Sequence, residues 1–252
     1  MLYLIGLGLG NPKDVTIKGK EAIESCDKVF LESYTSVLSD SSIKELSNFF
    51  SVNIEPLNRE KIEDNNLIFN DAKNKNIALL VVGDVFSATT HSEILMRAKQ
   101  KNIDVEIIHN ASIFTAVSTT GLQLYKFGKV TSIVKPKKNW FPKSPYKIIK
   151  ENSKINAHTL CLLDIKIKQN YFMTINEALK LLLKMEEEIN DNLINEETKV
   201  IGVSSLGGNF DIKYGTISDL IDYEFTDTPH SLIIPGKLHF SEKEVLEFWN
   251  NQ

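Results

Sequence analysis

The first part of the chain alternates between short apolar runs and longer polar segments. Leu2-Tyr3-Leu4-Ile5, Lys28-Val29-Phe30-Leu31-Glu32, Ile77-Ala78-Leu79-Leu80-Val81-Val82 and Val105-Glu106-Ile107-Ile108-His109 read as strands, and the most apolar as strands buried on both faces. Val52 to Leu57 reads as a shorter strand ended by Pro56. Helical patterns lie between them. Ile17, Ala22 and Ile23 form one narrow apolar face after a cap at Asp14 or Thr16. Residues 43–50 follow, then a stretch within 61–75 carrying Leu67, Ile68, Phe69 and Ala72, then residues 91–101 with Ile94, Leu95 and Ala98. Regular alternation of strand and helix predicts a parallel sheet wrapped by helices.

The rhythm changes near residues 109–111. A long helical stretch is expected from Asn110 through Ala116, Val117 and Leu122 to Gly128, its start carrying free N–H groups. Strands are expected at Thr131–Val134, Thr159–Ile165, Lys199–Ser204, Lys213–Thr216 and around 229–236. Ile175, Leu179, Leu182, Leu183 and Met185 mark the clearest amphipathic helix, with Thr174 and Glu177 as its capping box. Residues 216–221 look helical, and Ser241 is expected to cap a last helix through Val245, Leu246 and Trp249. These patterns predict two α/β domains: 1–109 with a parallel sheet and 110–252 with a mixed one. A cleft between domains is a favoured ligand site.

Composition narrows the function classes. The chain has 252 residues, 42% hydrophobic and 25% charged, with a net charge of −4. That is a globular balance without the basic field of a nucleic-acid binder. Cys26 and Cys161 both lie beside apolar runs, which predicts buried thiols in a reducing compartment, and no Cys/His spacing resembles a zinc site. The first residues are too short and lack the basic flank of a signal peptide, and no run reaches the length of a membrane span. A cytoplasmic protein is expected.

The chemistry concentrates in turns after strands. Gly83-Asp84 follows the Ile77–Val82 run directly, where open parallel sheets place their ligands; alone, the pair reads first as a tight turn. Gly6-Leu7-Gly8-Leu9-Gly10 sits in the same position after the first strand. With Glu32 ending the next strand it approaches a dinucleotide fingerprint, but the third glycine comes two residues after the second instead of three. Leu7 and Leu9 make this loop apolar, which suits an adenine or a thioether better than a pyrophosphate. Ser205-Leu206-Gly207-Gly208 is a second glycine-rich turn. Trp140 and Phe141, flanked by Lys135, Lys137, Lys138 and Lys143, read as a solvated loop or as a grip for a protein partner.

Together, Leu4 to Gly10, Val82-Gly83-Asp84, His109-Asn110-Ala111-Ser112-Ile113, Gly121 to Gly128, His158 to Lys166 and His230-Ser231-Leu232-Ile233-Ile234 resemble the diphthine synthase family of tetrapyrrole-methylase-type enzymes. The resemblance spans nearly the whole chain, with gaps at about 57–76 and 167–198. It implies two α/β domains with S-adenosylmethionine bent in the cleft. It also implies methyl transfer to a modified histidine of translation elongation factor 2, S-adenosylhomocysteine as product, and a homodimer. Carried over position by position, cofactor contacts fall on Leu9, Asp84, Ser87, Ser112, Ile113, Leu163, Leu206 and His230. The chain departs from the family where Ser87 replaces a frequent glycine and Val85 a common proline, and the 205–207 turn matches only roughly.

Archaeal members of the family stop at three methyls on the amine, and eukaryotic members add a methyl ester. The closeness of Leu122–Gly128 to eukaryotic relatives implies four transfers. No residue announces itself as the base an amine needs; Asp164, Glu32 and His230 are conceivable. Two alternatives stay open. A corrin-precursor methyltransferase would want arginines for its anionic macrocycle, and the chain has only Arg59 and Arg97. A noncatalytic partner of the translation factor would tolerate a blocked cofactor pocket.

Overall fold

The computed structural model describes residues 1–63 and 66–250. The chain forms two compact units, Met1–Ala116 and Val117–Gln252. In the first, strands β1 (Leu2–Gly6), β2 (Lys28–Glu32), β3 (Ile54–Leu57), β4 (Ile77–Val81) and β5 (Val105–Ile108) form one sheet, in the order β3-β2-β4-β1-β5. Every pairing in it is parallel. Helices α1 (Ile17–Ser25), α2 (Ile43–Phe50), α3 (Arg59–Glu63), α4 (Leu67–Ala72), α5 (Ser92–Gln100) and α6 (Ile113–Ala116) alternate with the strands.

Period-two alternation explains why both faces are covered. Leu2, Leu4, Ile77 and Leu79 pack with Ile68, Phe69 and Ala72 of α4 and Ile94 and Ala98 of α5. Ile5, Val29, Leu31, Ala78 and Leu80 pack with Ala22 and Ile23 of α1 and Leu46 and Phe50 of α2. Fully burying one such side chain stabilises the fold by about 1.5–3 kcal/mol.

Several expectations are corrected in this unit. Pro56 does not end β3 but lies inside it, paired opposite Leu31. It is tolerated because β3 is an edge strand, where a missing N–H breaks no central ladder. Thr16, not Asp14, caps α1, its Oγ1 accepting from Gly19 N at 3.0 Å. Ile17 is exposed, and Gly19, Ala22 and Ile23 are the buried positions of that helix. The predicted helical stretch in 61–75 is two short helices, α3 and α4, and positions 64 and 65 lie outside the described residues.

The second unit holds strands β6 (Thr131–Ile133), β7 (Thr159–Leu163), β8 (Ile165–Lys166), β9 (Tyr171–Phe172), β10 (Lys199–Ser204), β11 (Asp211–Thr216) and β12 (His230–Ile234). Its main sheet has the order β11-β10-β12-β7-β6, antiparallel except for β6 with β7, and β8 pairs β9 in a small hairpin. Helices α7 (Ser144–Lys154), α8 (Ile175–Ile189), α9 (Ile217–Leu220) and α10 (Phe240–Asn250) complete it. The capping box of α8 is present as expected, with Glu177 N donating to Thr174 Oγ1 and Thr174 N to Glu177 Oε2. Ile175, Leu179, Leu182 and Met185 enter the core.

The long helix expected from Asn110 to Gly128 is broken. α6 ends at Ala116, a tight helical turn covers Val117–Thr120, and another covers Leu124–Lys126. Gly121 breaks the path at φ +88°, with the side chain of Val245 packed where a Cβ would stand. Helix α10 starts at Phe240, so Ser241 lies inside its first turn instead of capping it. Cys161 is buried, its thiol pushed up to about 12 by burial, whereas Cys26 is only half-buried; both are free.

Candidate functional site

In the first unit, the turns after β1, β4 and β5 meet at the carboxyl end of the sheet. Gly83 N donates to Gly8 O at 2.8 Å and Gly8 N to Gly83 O at 3.2 Å, so the two glycine turns form one reciprocal bridge. Gly8 sits at φ +78° and Gly83 at φ +76°, a conformation that disfavours any side chain. A Cβ on Gly6 would stand 2.7 Å from Gly83 O, so that glycine is required for close approach. Asn110 ties the third turn in, its Nδ2 donating to Gly6 O and Asp14 O, each at 3.0 Å.

Asp84 organises this end of the sheet. Its Oδ1 accepts from Phe86 N at 3.1 Å and Ser87 Oγ at 3.4 Å. Its Oδ2 accepts from His109 Nδ1 at 2.7 Å and Asn110 N at 3.2 Å. Burial alone would push its carboxyl up; the bonds from His109, Phe86 and Asn110 outweigh that and hold it below the usual range. Asp84 is buried, Ser87, Leu9 and Ile113 are half-buried, and Ser112 is buried at the start of α6, accepting from Phe114 N. A Cβ built on Gly83 would stand 3.6 Å from Ser112 Cβ, at ordinary packing distance, so Ser112 lies directly against this turn. An apolar Leu9, a fixed carboxylate and small hydroxyls around these glycine turns are the group types that suit a nucleoside with a thioether arm.

In the second unit, β12 lies between β10 and β7 and so brings the segments of three expected contacts near one another. His230 pairs opposite Ser204, two residues before Leu206, and Ser231 pairs opposite Leu162, next to Leu163. Leu163 itself belongs to the core, so only its backbone can face a ligand. Leu206 is buried in a turn where Ser205 takes φ +48° and Gly207 takes φ +105°, a conformation open to glycine and unfavourable for serine. His230 is occupied at both nitrogens: Nε2 donates to Thr226 O at 2.9 Å and Nδ1 accepts from Ile175 N at 3.3 Å. Burial pushes it below the usual imidazole range.

The other two conceivable bases are occupied as well. Glu32 Oε1 accepts from Tyr34 N and Thr35 N at 2.6 and 2.8 Å, and its Oε2 accepts from the Thr35 hydroxyl. Asp164 Oδ2 accepts from Lys135 N and from Lys166 Nζ, each at 3.0 Å. A further polar cluster, not foreseen from sequence, lies in the second unit. Glu242 accepts from His158 Nε2 at 3.1 Å, Gln123 N at 3.0 Å, His239 N at 2.7 Å and Lys126 Nζ. His158 Nδ1 accepts from Gly236 N at 2.9 Å.

Comparison with known proteins identifies the family. The model of the Tetrapyrrole (Corrin/Porphyrin) Methylases matches residues 1–221. The chain is 46% identical over 250 residues to a diphthine synthase of Methanococcus maripaludis strain S2, covering 98% of each. It is 45% identical over 252 residues to one from Methanocaldococcus jannaschii, again covering 98% of each. Among solved structures, one from Entamoeba histolytica superposes with a TM-score of 0.92 at 42% identity, covering 99% of this chain and 98% of that one. A diphthine synthase crystal structure superposes at 0.89 and 35% identity, covering 99% and 96%. The chain belongs to the tetrapyrrole methylase family and, within it, to the diphthine synthases.

Proposed function

We propose that the chain is an S-adenosylmethionine-dependent methyltransferase that modifies the diphthamide precursor histidine of translation elongation factor 2 in the cytoplasm. The observation that carries this is the bridged pair of glycine turns with Asp84 fixed beside it, in a chain whose relatives over 98% of its length are diphthine synthases. Leu9, Asp84, Ser87, Ser112 and Ile113 from the first unit, and Leu163, Leu206 and His230 from the second, are the proposed cofactor contacts. Leu163 acts through its backbone. His230 acts as a neutral ring held by Thr226 and Ile175, and its saturated nitrogens remove it as a base.

When bound, S-adenosylmethionine supplies a methyl group on a positively charged sulfur. The glycine turns and Asp84 contribute by positioning. The bridge between Gly8 and Gly83 sets the two turns at a fixed spacing, and Asp84 locks the 84–87 turn to Asn110 and His109. Four transfers, three to the amine and one to the carboxylate, are proposed on the resemblance of Leu122–Gly128, and a homodimer is proposed on the family's pattern. A corrin macrocycle is disfavoured: Arg97 is engaged by Ile62 O and the Phe69 ring, and Arg59 lies over the Tyr34 ring.

The test is calorimetric titration with S-adenosylhomocysteine, then mass spectrometry of elongation factor 2 carrying the unmethylated intermediate. Binding with four methyl additions is the expected outcome. Three additions would correct the count and leave the enzyme class standing, and absence of binding would overturn it. Light scattering of the purified chain tests the dimer.

A further inference from the structure

Methyl transfer to an amine leaves protons to be removed. An ammonium must lose one before its nitrogen can attack, and each methylated amine is again protonated until the quaternary stage. The chain has five histidines. His158 and His230 have both ring nitrogens engaged. His91 is buried, Nδ1 donating to Val85 O at 3.0 Å and Nε2 lying 4.0 Å from the buried Glu32. His239 engages Ser241 at the start of α10, on a segment that carries no proposed cofactor contact.

His109 differs from all four. It follows β5 directly, at the end of the sheet where the glycine turns meet. Its Nδ1 donates to Asp84 Oδ2 at 2.7 Å, a bond that fixes the tautomer and leaves the lone pair of the neutral ring on Nε2. Its side chain is 68% exposed while that of Asp84 is 12% exposed. Phe86 borders the ring, with centroids 6.3 Å apart. A buried carboxylate orienting an imidazole whose far nitrogen is open is the arrangement of a general base with its orienting group. Exposure suits this substrate: a side chain carried by a protein arrives from solvent, and the docked partner itself then covers the ring.

We propose that His109 is the general base of amine methylation, positioned by Asp84; this rests on the function proposed above. The substrate ammonium passes a proton to His109 Nε2, which releases it to solvent water. The freed amine nitrogen then forms its bond to the methyl carbon as the carbon–sulfur bond breaks and sulfur keeps the electron pair. The sequence repeats for each amine methyl. A carboxylate is already anionic and needs no base, so an ester-forming transfer does not use His109.

His109→Asn and His109→Ala separate this from a structural role, because the Asn amide can keep the hydrogen bond to Asp84 and cannot take a proton. Three readouts apply: S-adenosylhomocysteine affinity by calorimetry, the single-turnover rate on elongation factor 2 carrying the unmethylated intermediate, and ring-nitrogen NMR of the unliganded wild type. The expected result is a ring protonated at Nδ1, affinity within about threefold in both variants, and a rate lower by about 10²–10⁴-fold in both. A His109→Asn rate within about threefold of wild type overturns the proposal, as does a ring protonated at Nε2, or an affinity loss that accounts for the rate. Should His109→Ala not fold, His109→Asn decides. Wild-type protein that binds S-adenosylhomocysteine but modifies no elongation factor 2 defeats the functional assignment and this proposal together. Wild-type transfer with an unimpaired His109→Asn defeats only this one.

Discussion

Two carboxylate–histidine pairs at hydrogen-bond distance, Asp84 with His109 in the first unit and Glu242 with His158 in the second, are used in opposite ways. In the second unit Glu242 and His158 are fully buried and saturated. Four donors converge on the carboxylate, and the far nitrogen of His158 takes Gly236 N. In the first unit Asp84 is saturated in the same fashion, but its histidine stands two-thirds exposed with one nitrogen open. Identical chemistry therefore gives a structural knot in one place and a candidate reactive group in the other. The difference lies in whether every lone pair and proton has a partner inside the protein.

The sharpest way to break this contrast is Glu242→Ala. It strands Lys126, His158 and two backbone N–H groups, and we expect a loss of about 3–5 kcal/mol in stability, read by urea denaturation. Next in size is a pH effect. Burial favours a raised Glu242 pKa, but its donors hold it at about 2, below the ordinary 4.5. Its contribution is fully present above about pH 4.5 and is lost as pH falls toward about 2. His158, depressed by burial, works in the same direction from pH 6.5 downward. Acid unfolding followed by near-ultraviolet dichroism should therefore shift to higher pH in Glu242→Gln.

Asp84→Asn should cost less stability, about 1–2 kcal/mol, because its surroundings are partly solvated. It should nevertheless lower methyl transfer by at least about tenfold, through loss of the ring orientation at His109. A variant with equal losses in both quantities would erase the distinction between the two pairs. The smallest effect belongs to Lys129→Ala. Its ion pair with Glu151 at 2.7 Å is exposed on both sides, and calorimetry should find a Tm within about 1 °C of the parent.

The sequence carried the outline of the fold because continuous apolar runs such as Leu2–Ile5 and Ile77–Val81 are governed by local burial on both faces of the sheet. It carried the glycine turns because positive φ leaves few choices of residue. It did not show α7, where buried Asn152 stands in the apolar stripe of Tyr146 and Ile149; Ser144-Pro145, a proline in the first turn, was the available signal. Asn152 is buried because its amide closes bonds to Lys129 N and O and Thr159 Oγ1, partners in other elements. His109 and Glu242 were hidden for the same reason. Nothing near either residue states that Asp84 or His158 will be its neighbour, and only the parallel crossovers of the first sheet and the packing of α10 bring them together.

The strand order of the first unit also bears on how the protein is made. β1 is flanked by β4 and β5, with Leu2 opposite Ile77 and Val105. Synthesis at roughly 5–20 residues per second leaves this apolar strand without its first partner for some seconds after it is translated. No hairpin can shelter it meanwhile, since parallel neighbours require a crossover. During that interval β1 is an unpaired apolar edge, so slowed synthesis or added chaperone in a fast-translating host is expected to raise the soluble yield.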